Sequence, residues 1–289
     1  CCFLEPSFLA PKYRMQGSIA VFYYQPAVQS AIVELKSGKT FRPNVYGLNN
    51  NHFTQTLLYD LIIRAVYGPK TAPLNYILYS GLEENQLRFA PVIKAQQMEA
   101  LQVRNQILAI ERVLSELRDD SPAWPSVFRL LKTRKAKGFV QRDLDRLLQA
   151  LEAQTATERA YFLAFTGFIA REHRRSKTGA EGLTSRGGQS TLWRNAHHEK
   201  EQRFDIISYL QVQEDRSHQF PPELVFNKTP RTNPLANFRI GDIAVLYPAE
   251  GGIVQHQVFK GVIVAIGKET VRVKLRARQF NRQLFESVP

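Results

Sequence analysis

The stretch that most constrains the fold is residues 17–68. Two runs rich in β-branched and aromatic residues, GSIAVFYY (17–24) and SAIVELK (30–36), flank a Gln-Pro segment and predict a hairpin. A polar loop broken by Gly, Pro and Asn follows over 37–51. Phe53, Leu57, Leu58, Leu61, Ile62 and Ala65 then recur at three- and four-residue spacing, which predicts a helix that Gly68 stops. LNYILYSG and QLRFAPV supply a second pair of short strands, and residues 93–120 a long amphipathic helix. The order ββ-α-ββ-α predicts an α/β core with a mixed sheet.

The segment SPAWPS (121–126) punctuates the chain. Helical patterns follow in VFRLLK, QRDLDRLLQALEAQ and ATERAYFLAFTGFIAREHRRSK. Tyr161, Phe162, Phe165 and Phe168 fall at helical spacing and are expected in the core. A Gly/Ser/Thr/Arg-rich stretch (178–190), a partly helical stretch (199–212) and a Pro/Asn-rich linker (221–238) come next. The last region changes character: FRIGDIAVLYP, VFKGVIVAIG and TVRVKLRAR predict three strands of a small all-β barrel. The expected division is therefore 1–120, a core; 121–235, a helical stalk and linker; and 236–289, a barrel.

Charge points to the partner. The chain of 289 residues carries 39 Lys and Arg against 26 Asp and Glu, a net charge of +13, which favours a polyanion such as nucleic acid. Its only cysteines, Cys1 and Cys2, provide no disulfide framework, and a reducing cytoplasm is expected. No apolar run reaches the ~20 residues a membrane helix needs, so no membrane partner is expected. The opening CCFLEPSFLAPKYRM does not read as a secretory signal, and the chain is expected to be a fragment of a longer protein.

Candidate chemistry begins at Glu34-Leu35-Lys36. On a strand, Glu34 and Lys36 project from the same face. A carboxylate and a carbonyl suit a hard cation, and a nearby ammonium suits charge developing on phosphate. Gln55 and Tyr59, four apart, share one face of the following helix, with an amide and a hydroxyl fit to touch phosphate or sugar oxygens. Read singly, each of these pairs is equally an ordinary solvated face.

Together they resemble the RecB-type branch of the PD-(D/E)xK nuclease superfamily. That branch carries G-h-h-D on one strand, (D/E)-h-K on the next and Q-h-x-x-Y on a helix. Here MQGSIAVFYY, VELKSGK and QTLLY take those places, with echoes in EPSFLAP upstream and in the RN of QVRNQ downstream. The resemblance implies Mg²⁺- or Mn²⁺-dependent cleavage of single-stranded DNA. Glu34 and the Leu35 carbonyl would be metal ligands, Lys36 would serve the attacking water, and Gln55 and Tyr59 would hold the strand. One position departs. Ala20 stands where the family has its metal-binding Asp, and no Asp occurs before Asp60. In the hairpin Ala20 would lie across from Glu34. Natural decay and deliberate replacement both produce this pattern; the intact remainder of the motif favours replacement. Some relatives carry a four-cysteine iron–sulfur cluster, which is not expected here because no Cys follows Cys2.

The C-terminal strands carry Lys260, Lys268, Arg272, Lys274, Arg276, Arg278 and Arg282 against Asp242, Glu250 and Glu269, a bias suited to phosphate backbones. They resemble the small barrel that accompanies the motor of superfamily-one helicases of the replication helicase–nuclease type. That resemblance implies a helicase motor C-terminal in the same polypeptide, single-stranded DNA or DNA with single-stranded ends as partner, and a nucleoid-associated cytoplasmic location if bacterial. No ATP site is expected in this chain: with Lys70-Thr71 as the end of a phosphate loop, its glycines would fall at Arg64 and Pro69. The basic run Lys132–Lys137 reads as a solvated charge cluster or a phosphate track, His197-His198 as surface, and Glu172–Arg175 as a helix C-terminus.

Overall fold

The computed structural model describes residues 2–25, 28–118, 138–179 and 188–276, with Phe280, Arg282 and Phe285 beyond them. VFRLLK, the Lys132–Lys137 run and Arg278 lie outside the described residues. The chain divides into one unit of residues 1–98 and 195–289 and a second of residues 99–194. No helix among the described residues is long and apolar enough to cross a membrane.

In the first unit the α/β pattern is realised as a mixed five-stranded sheet. Its members are β1 (Cys2–Leu4), β4 (Val21–Tyr23), β5 (Ala31–Lys36), β6 (Leu74–Tyr79) and β7 (Leu87–Phe89), in the order β1-β4-β5-β6-β7. β5 and β6 run parallel with Glu34 opposite Ile77, and every other neighbouring pair is antiparallel. A parallel pair needs a crossover, and α1 (Asn50–Tyr67) supplies it. The Asn49 side chain caps its start by accepting from the Asn51 amide at 3.0 Å. Gly68, at φ 97°, ends it in a conformation that favours glycine, so Gly68-Pro69-Lys70-Thr71 is a helix stop. α2 (Lys94–Ser115) follows β7.

The buried face of α1 is broader than the apolar spacing predicts. Phe53, Leu57, Ile62 and Ile63 are buried as hydrophobics, but so are Thr56, Tyr59 and Asp60, while Leu58 and Leu61 are only half-buried. The helix serves two apolar clusters. Tyr59, Ile62 and Ile63 pack with Phe8, Ile19, Phe22 and Ile32, and Phe53 and Leu57 pack with Leu48, Ile77 and Tyr79.

A two-stranded ribbon of β2 (Ser7–Ala10) and β3 (Met15–Ser18) lies beside this sheet, its strands joined by a 3-10 turn over Pro11–Tyr13. The strand expected over 17–24 is thus broken: β3 ends at Ser18, the chain bends at Ala20, and β4 begins at Val21. The break lets Ile19 turn inward, fully buried, while its amide bonds the Pro6 carbonyl at 3.0 Å.

The C-terminal part of this unit differs more from expectation. β10 (Ile243–Leu246), β11 (Phe259–Ile266) and β12 (Thr270–Leu275) fall where strands are predicted. They are joined by β8 (Leu210–Arg216) and β9 (Glu223–Lys228), in the order β10-β11-β12-β9-β8. These last two occupy the expected helical stretch and linker. Alternation wins there: Leu224 and Phe226 are buried with Val271 and Val273, and Val225 and Asn227 face away. The described strands make an open antiparallel sheet, with β10 and β8 as its edges, rather than a closed barrel. The sheet is tied to the ribbon by one bridge, the Val258 amide donating to the Ser7 carbonyl at 2.9 Å.

In the second unit, α3 (Phe139–Glu152) and α4 (Ala156–Thr178) follow one another, and a Thr155–Glu158 capping box starts α4. The aromatic core expected on α4 is not found. Tyr161, Phe165 and Phe168 are about half exposed or more, Phe162 is half-buried, and the buried positions are Leu163 and Gly167. The reason is the close approach of backbone: a Cβ on Gly167 would lie 2.2 Å from the Leu117 carbonyl oxygen. Arg171 then caps the carbonyls of Ser115 and Leu117 at 3.2 and 3.0 Å. Two short helices, α5 (Thr191–Arg194) and α6 (His197–Gln202), lead back to the first unit's second sheet.

One buried charge sets a stability expectation. Asp60 is fully buried on α1 and is held by the Arg64 guanidinium at 2.8 Å and the Gln97 amide at 2.9 Å. Removing one partner of a buried pair strands the other charge. Arg64→Ala is expected to cost about 3 kcal/mol in urea unfolding, whereas Arg64→Lys, which keeps a cation near, costs less. A loss below about 0.5 kcal/mol, the range of ordinary surface substitutions, would show that Asp60 does not depend on it.

Candidate functional site

The residues singled out in the sequence converge at the end of β5. Pairing between β4 and β5 stops at Val21 and Val33, so Glu34, Leu35 and Lys36 keep β6 as neighbour while the side toward Ala20 opens. Continuing that register sets Ala20 across from Glu34. Glu34 and Lys36 share a face as strand geometry requires, and the Lys36 ammonium donates to Glu34 Oε1 at 2.8 Å.

Gln55 from α1 closes the group. Its Oε1 accepts from Lys36 at 2.9 Å, and its amide nitrogen donates to Glu34 Oε1 at 3.2 Å and to the Tyr59 hydroxyl at 2.7 Å. Tyr59 in turn donates to the Ser18 carbonyl at 2.7 Å. One hydrogen-bonded chain therefore links α1, β5 and the end of β3. Gly17 makes this possible. A Cβ there would stand 3.0 Å from Ile62 Cδ1 and 3.1 Å from Tyr59 Cε1, so a larger residue would press on the Tyr59 ring.

Glu34 is 6% exposed, yet its Oε2 is buried with no hydrogen-bond partner. Its Oε1 is held by Lys36 and Gln55, and its Oε2 makes no hydrogen bond. Glu34 lines a cavity of about 370 Å³ together with Glu5 and Ala20. Glu5 is joined to Ala20 through its backbone, its amide donating to the Ala20 carbonyl at 2.9 Å.

The donor set does not fit a resident hard cation. Such an ion takes six or more oxygens, carboxylates first. Ala20 supplies no side-chain ligand, the Glu34 charge is already countered by Lys36, and among the described residues no group of three His, Cys, Asp or Glu side chains is placed to hold a metal. Leu35 lies on β5 between Glu34 and Lys36, with its side chain exposed.

His52 belongs to the same helix face, three residues before Gln55, and the sequence reading missed it. Its Nδ1 lies 3.2 Å from the Tyr79 hydroxyl, and burial, followed by the Lys36 charge, lowers its pKa against an opposing pull from Glu34. Burial raises the Tyr59 hydroxyl above its ordinary value, with Gln55 opposing and Glu34 adding. The spacing H-x-x-Q-x-x-x-Y was the available signal for His52.

Of the predicted nucleic-acid contacts on the second sheet, Lys260 and Arg276 line the same cavity as Glu34. Arg272 and Lys274 are exposed on β12, outside the cavity lining. Gln257, which no sequence motif marks, is 3% exposed and also lines it. His197 and His198 sit on the exposed surface, with His197 paired to Glu201 at 3.2 Å.

Among known proteins, no family model matches this chain and no curated protein matches it.

Two measurements follow from this geometry. Gly17→Val should displace Tyr59 and break its bond to Ser18; the expected reading is loss of thermal stability and a Tyr59 ring signal that moves, while Gly38→Ala, with open space around it, leaves both unchanged. His52 favours the neutral form in the folded state, so the unfolded state takes up its proton first. Stability should therefore fall as pH drops through about 6.5, the ordinary His value, and level once the folded state is also protonated. His52→Asn should flatten that part of the urea-midpoint profile; an unchanged profile would exclude His52 as its source.

Proposed function

We propose that the first unit carries a PD-(D/E)xK-type site for single-stranded DNA, belonging to a fragment of a DNA helicase–nuclease and disarmed by Ala20. One observation carries the reading. A buried glutamate has one oxygen held by a lysine two residues on and by a helix glutamine, and its other oxygen without a partner, opposite the position of the missing carboxylate. Asp60 Oδ1 is likewise buried without a partner; what sets Glu34 apart is that it lines a cavity together with Ala20. In this reading Lys36 and Gln55 hold Glu34, and Tyr59 positions Gln55 against β3. The exposed Arg272 and Lys274 attract the phosphate backbone. The β8–β12 sheet takes the part of the accessory barrel, with a helicase motor C-terminal in the same polypeptide.

Ala20 itself favours a second reading, a naturally non-catalytic nucleic-acid-binding module on a decayed nuclease fold. The two readings part at position 20. Metal-dependent phosphodiester cleavage relies on the cation to generate the nucleophile and polarise the phosphate. A chain whose donor set does not fit the cation should not cut.

Ala20→Asp is expected to create Mg²⁺- or Mn²⁺-dependent cleavage of end-labelled single-stranded DNA, and Lys36→Ala in that background to abolish it. An Ala20→Asp variant that binds DNA and metal but never cuts would leave the non-catalytic reading standing. A chain that cuts equally well as written would remove position 20 from the site.

Binding itself should be salt-sensitive. Each phosphate contact on a single strand contributes about −0.7 to the slope of log affinity against log salt. Reversing the charges of Arg272 and Lys274 together should weaken binding without lowering thermal stability. Affinity that ignores salt between about 50 and about 200 mM would exclude the polyanion reading. No ATP hydrolysis is expected from this chain alone.

A further inference from the structure

The cavity above Glu34 has two walls, and they come from opposite ends of the first unit. Glu5, Ala20 and Glu34 form one. Gln257, Lys260 and Arg276 form part of the other. The second wall is held by backbone: the Ser7–Val258 bridge anchors the start of β11, and the Arg276 amide, just past the end of β12, donates to the Lys260 carbonyl on β11 at 2.9 Å, which brings these two residues side by side.

Charge in the cavity favours an anion. Among the described residues neither Lys260 nor Arg276 has a side-chain hydrogen bond or ion pair, whereas the Glu34 carboxylate is already countered by Lys36. Two cations thus face a single uncompensated carboxylate, that of the exposed Glu5. The Gln257 amide oxygen is buried without a partner. A side-chain amide in that condition can turn oxygen or nitrogen toward a ligand. The supply is two cations and one amide around a space of about 370 Å³, the size of a small-ligand pocket. That suits a phosphate and part of its nucleotide, and has no room for a base-paired duplex.

The route into the cavity is also charged. On β12 the buried Val271, Val273 and Leu275 alternate with exposed Arg272 and Lys274, and Arg276 continues the outward series. Successive outward positions step along the strand by about 7 Å, two residues at 3.3 Å each, a spacing that an extended phosphate backbone can follow. The row ends at Arg276, in the cavity wall.

We propose that Lys260 and Arg276, with Gln257, form a phosphate-gripping wall opposite Glu34, and that single-stranded DNA runs along the Arg272–Lys274–Arg276 row into the cavity. The inference rests on the nucleic-acid reading above and adds the direction of the strand and the residues that seat it. It needs no metal, so it applies to the chain as written.

The test uses this chain and a fluorescein-labelled oligothymidylate, read by anisotropy across a salt series. Lys260→Ala/Arg276→Ala is compared with Lys70→Ala/Lys94→Ala, which removes the same charge from exposed positions outside the cavity. Thermal unfolding accompanies each variant. The cavity pair should weaken binding about tenfold and reduce the salt slope by about 1.4, the value for two single-strand contacts. The control pair should do neither. Gln257→Ala should weaken binding without changing the slope, because it removes no charge. An unlabelled duplex should compete less well than an unlabelled single strand.

Equal losses from both pairs would reduce the effect to net charge and overturn the proposal. Unchanged binding by the cavity pair alongside a loss on reversing Arg272 and Lys274 would move the DNA out of the cavity and overturn it too. If the cavity pair unfolds, Lys260→Gln and Arg276→Gln singly provide the same comparison at about 0.7 of slope each. Cleavage by Ala20→Asp with binding insensitive to Lys260 and Arg276 would overturn this inference alone. No binding of any oligonucleotide by the chain as written would overturn it together with the reading beneath it.

Discussion

The first unit is organised around keeping one carboxylate buried. Taking a charge out of water costs several kcal/mol unless it is paired and hydrogen-bonded. Glu34 meets that demand at Oε1 alone, through Lys36 on its own strand and Gln55 on α1. The requirement then spreads. Gln55 is oriented by Lys36 and Tyr59, Tyr59 by Ser18, and the approach of β3 to the Tyr59 ring by the missing side chain of Gly17. These bonds join Ser18, Tyr59, Gln55, Lys36 and Glu34 in one connected series. The same logic explains the broad buried face of α1. A helix that presents Gln55 and His52 toward a strand end on one side must still bury Phe53 and Leu57 in one cluster and Ile62 and Ile63 in another.

The parts legible in the sequence were those governed by local pattern. Strand-forming runs gave β5, β6, β11 and β12, and apolar spacing with the stop at Gly68 gave α1, whose cap at Asn49 lay inside the stretch read as loop. The same-face rules brought Glu34 to Lys36 and Gln55 to Tyr59. What failed was decided by tertiary partners. β9 reads as linker because its stretch is rich in Pro and Asn, and the start of β8 falls in a stretch read as partly helical, yet Leu224 and Phe226 find apolar neighbours on β12 and pair there. The aromatic residues of α4 have core spacing, but Gly167 brings a backbone carbonyl too close for them to be the buried face. The single strand expected over 17–24 is two, divided where Ile19 turns inward. Gln257 had no local signal, since what makes it notable is a wall far away in sequence.

Ala20 is a local fact with a reach beyond its size. It replaces nothing in the packing: Ile19 and Phe22 on either side are fully buried, and the bend is made by backbone bonds from Glu5 and Ile19. Ala20 itself is half-buried and lines the cavity, so its side chain faces the site rather than the core clusters.

The bridge between Ser7 and Val258 joins residues separated by most of the chain, with all of residues 99–194 between them. Loop-closure entropy grows only slowly with the length enclosed, so the equilibrium cost of so distant a contact is modest. The kinetic cost is larger, because contacts remote in sequence form late. During synthesis the Glu34 wall leaves the ribosome long before Gln257, Lys260 and Arg276 exist. Until they do, the cavity lacks its second wall and the Ser7 carbonyl lacks its partner at Val258.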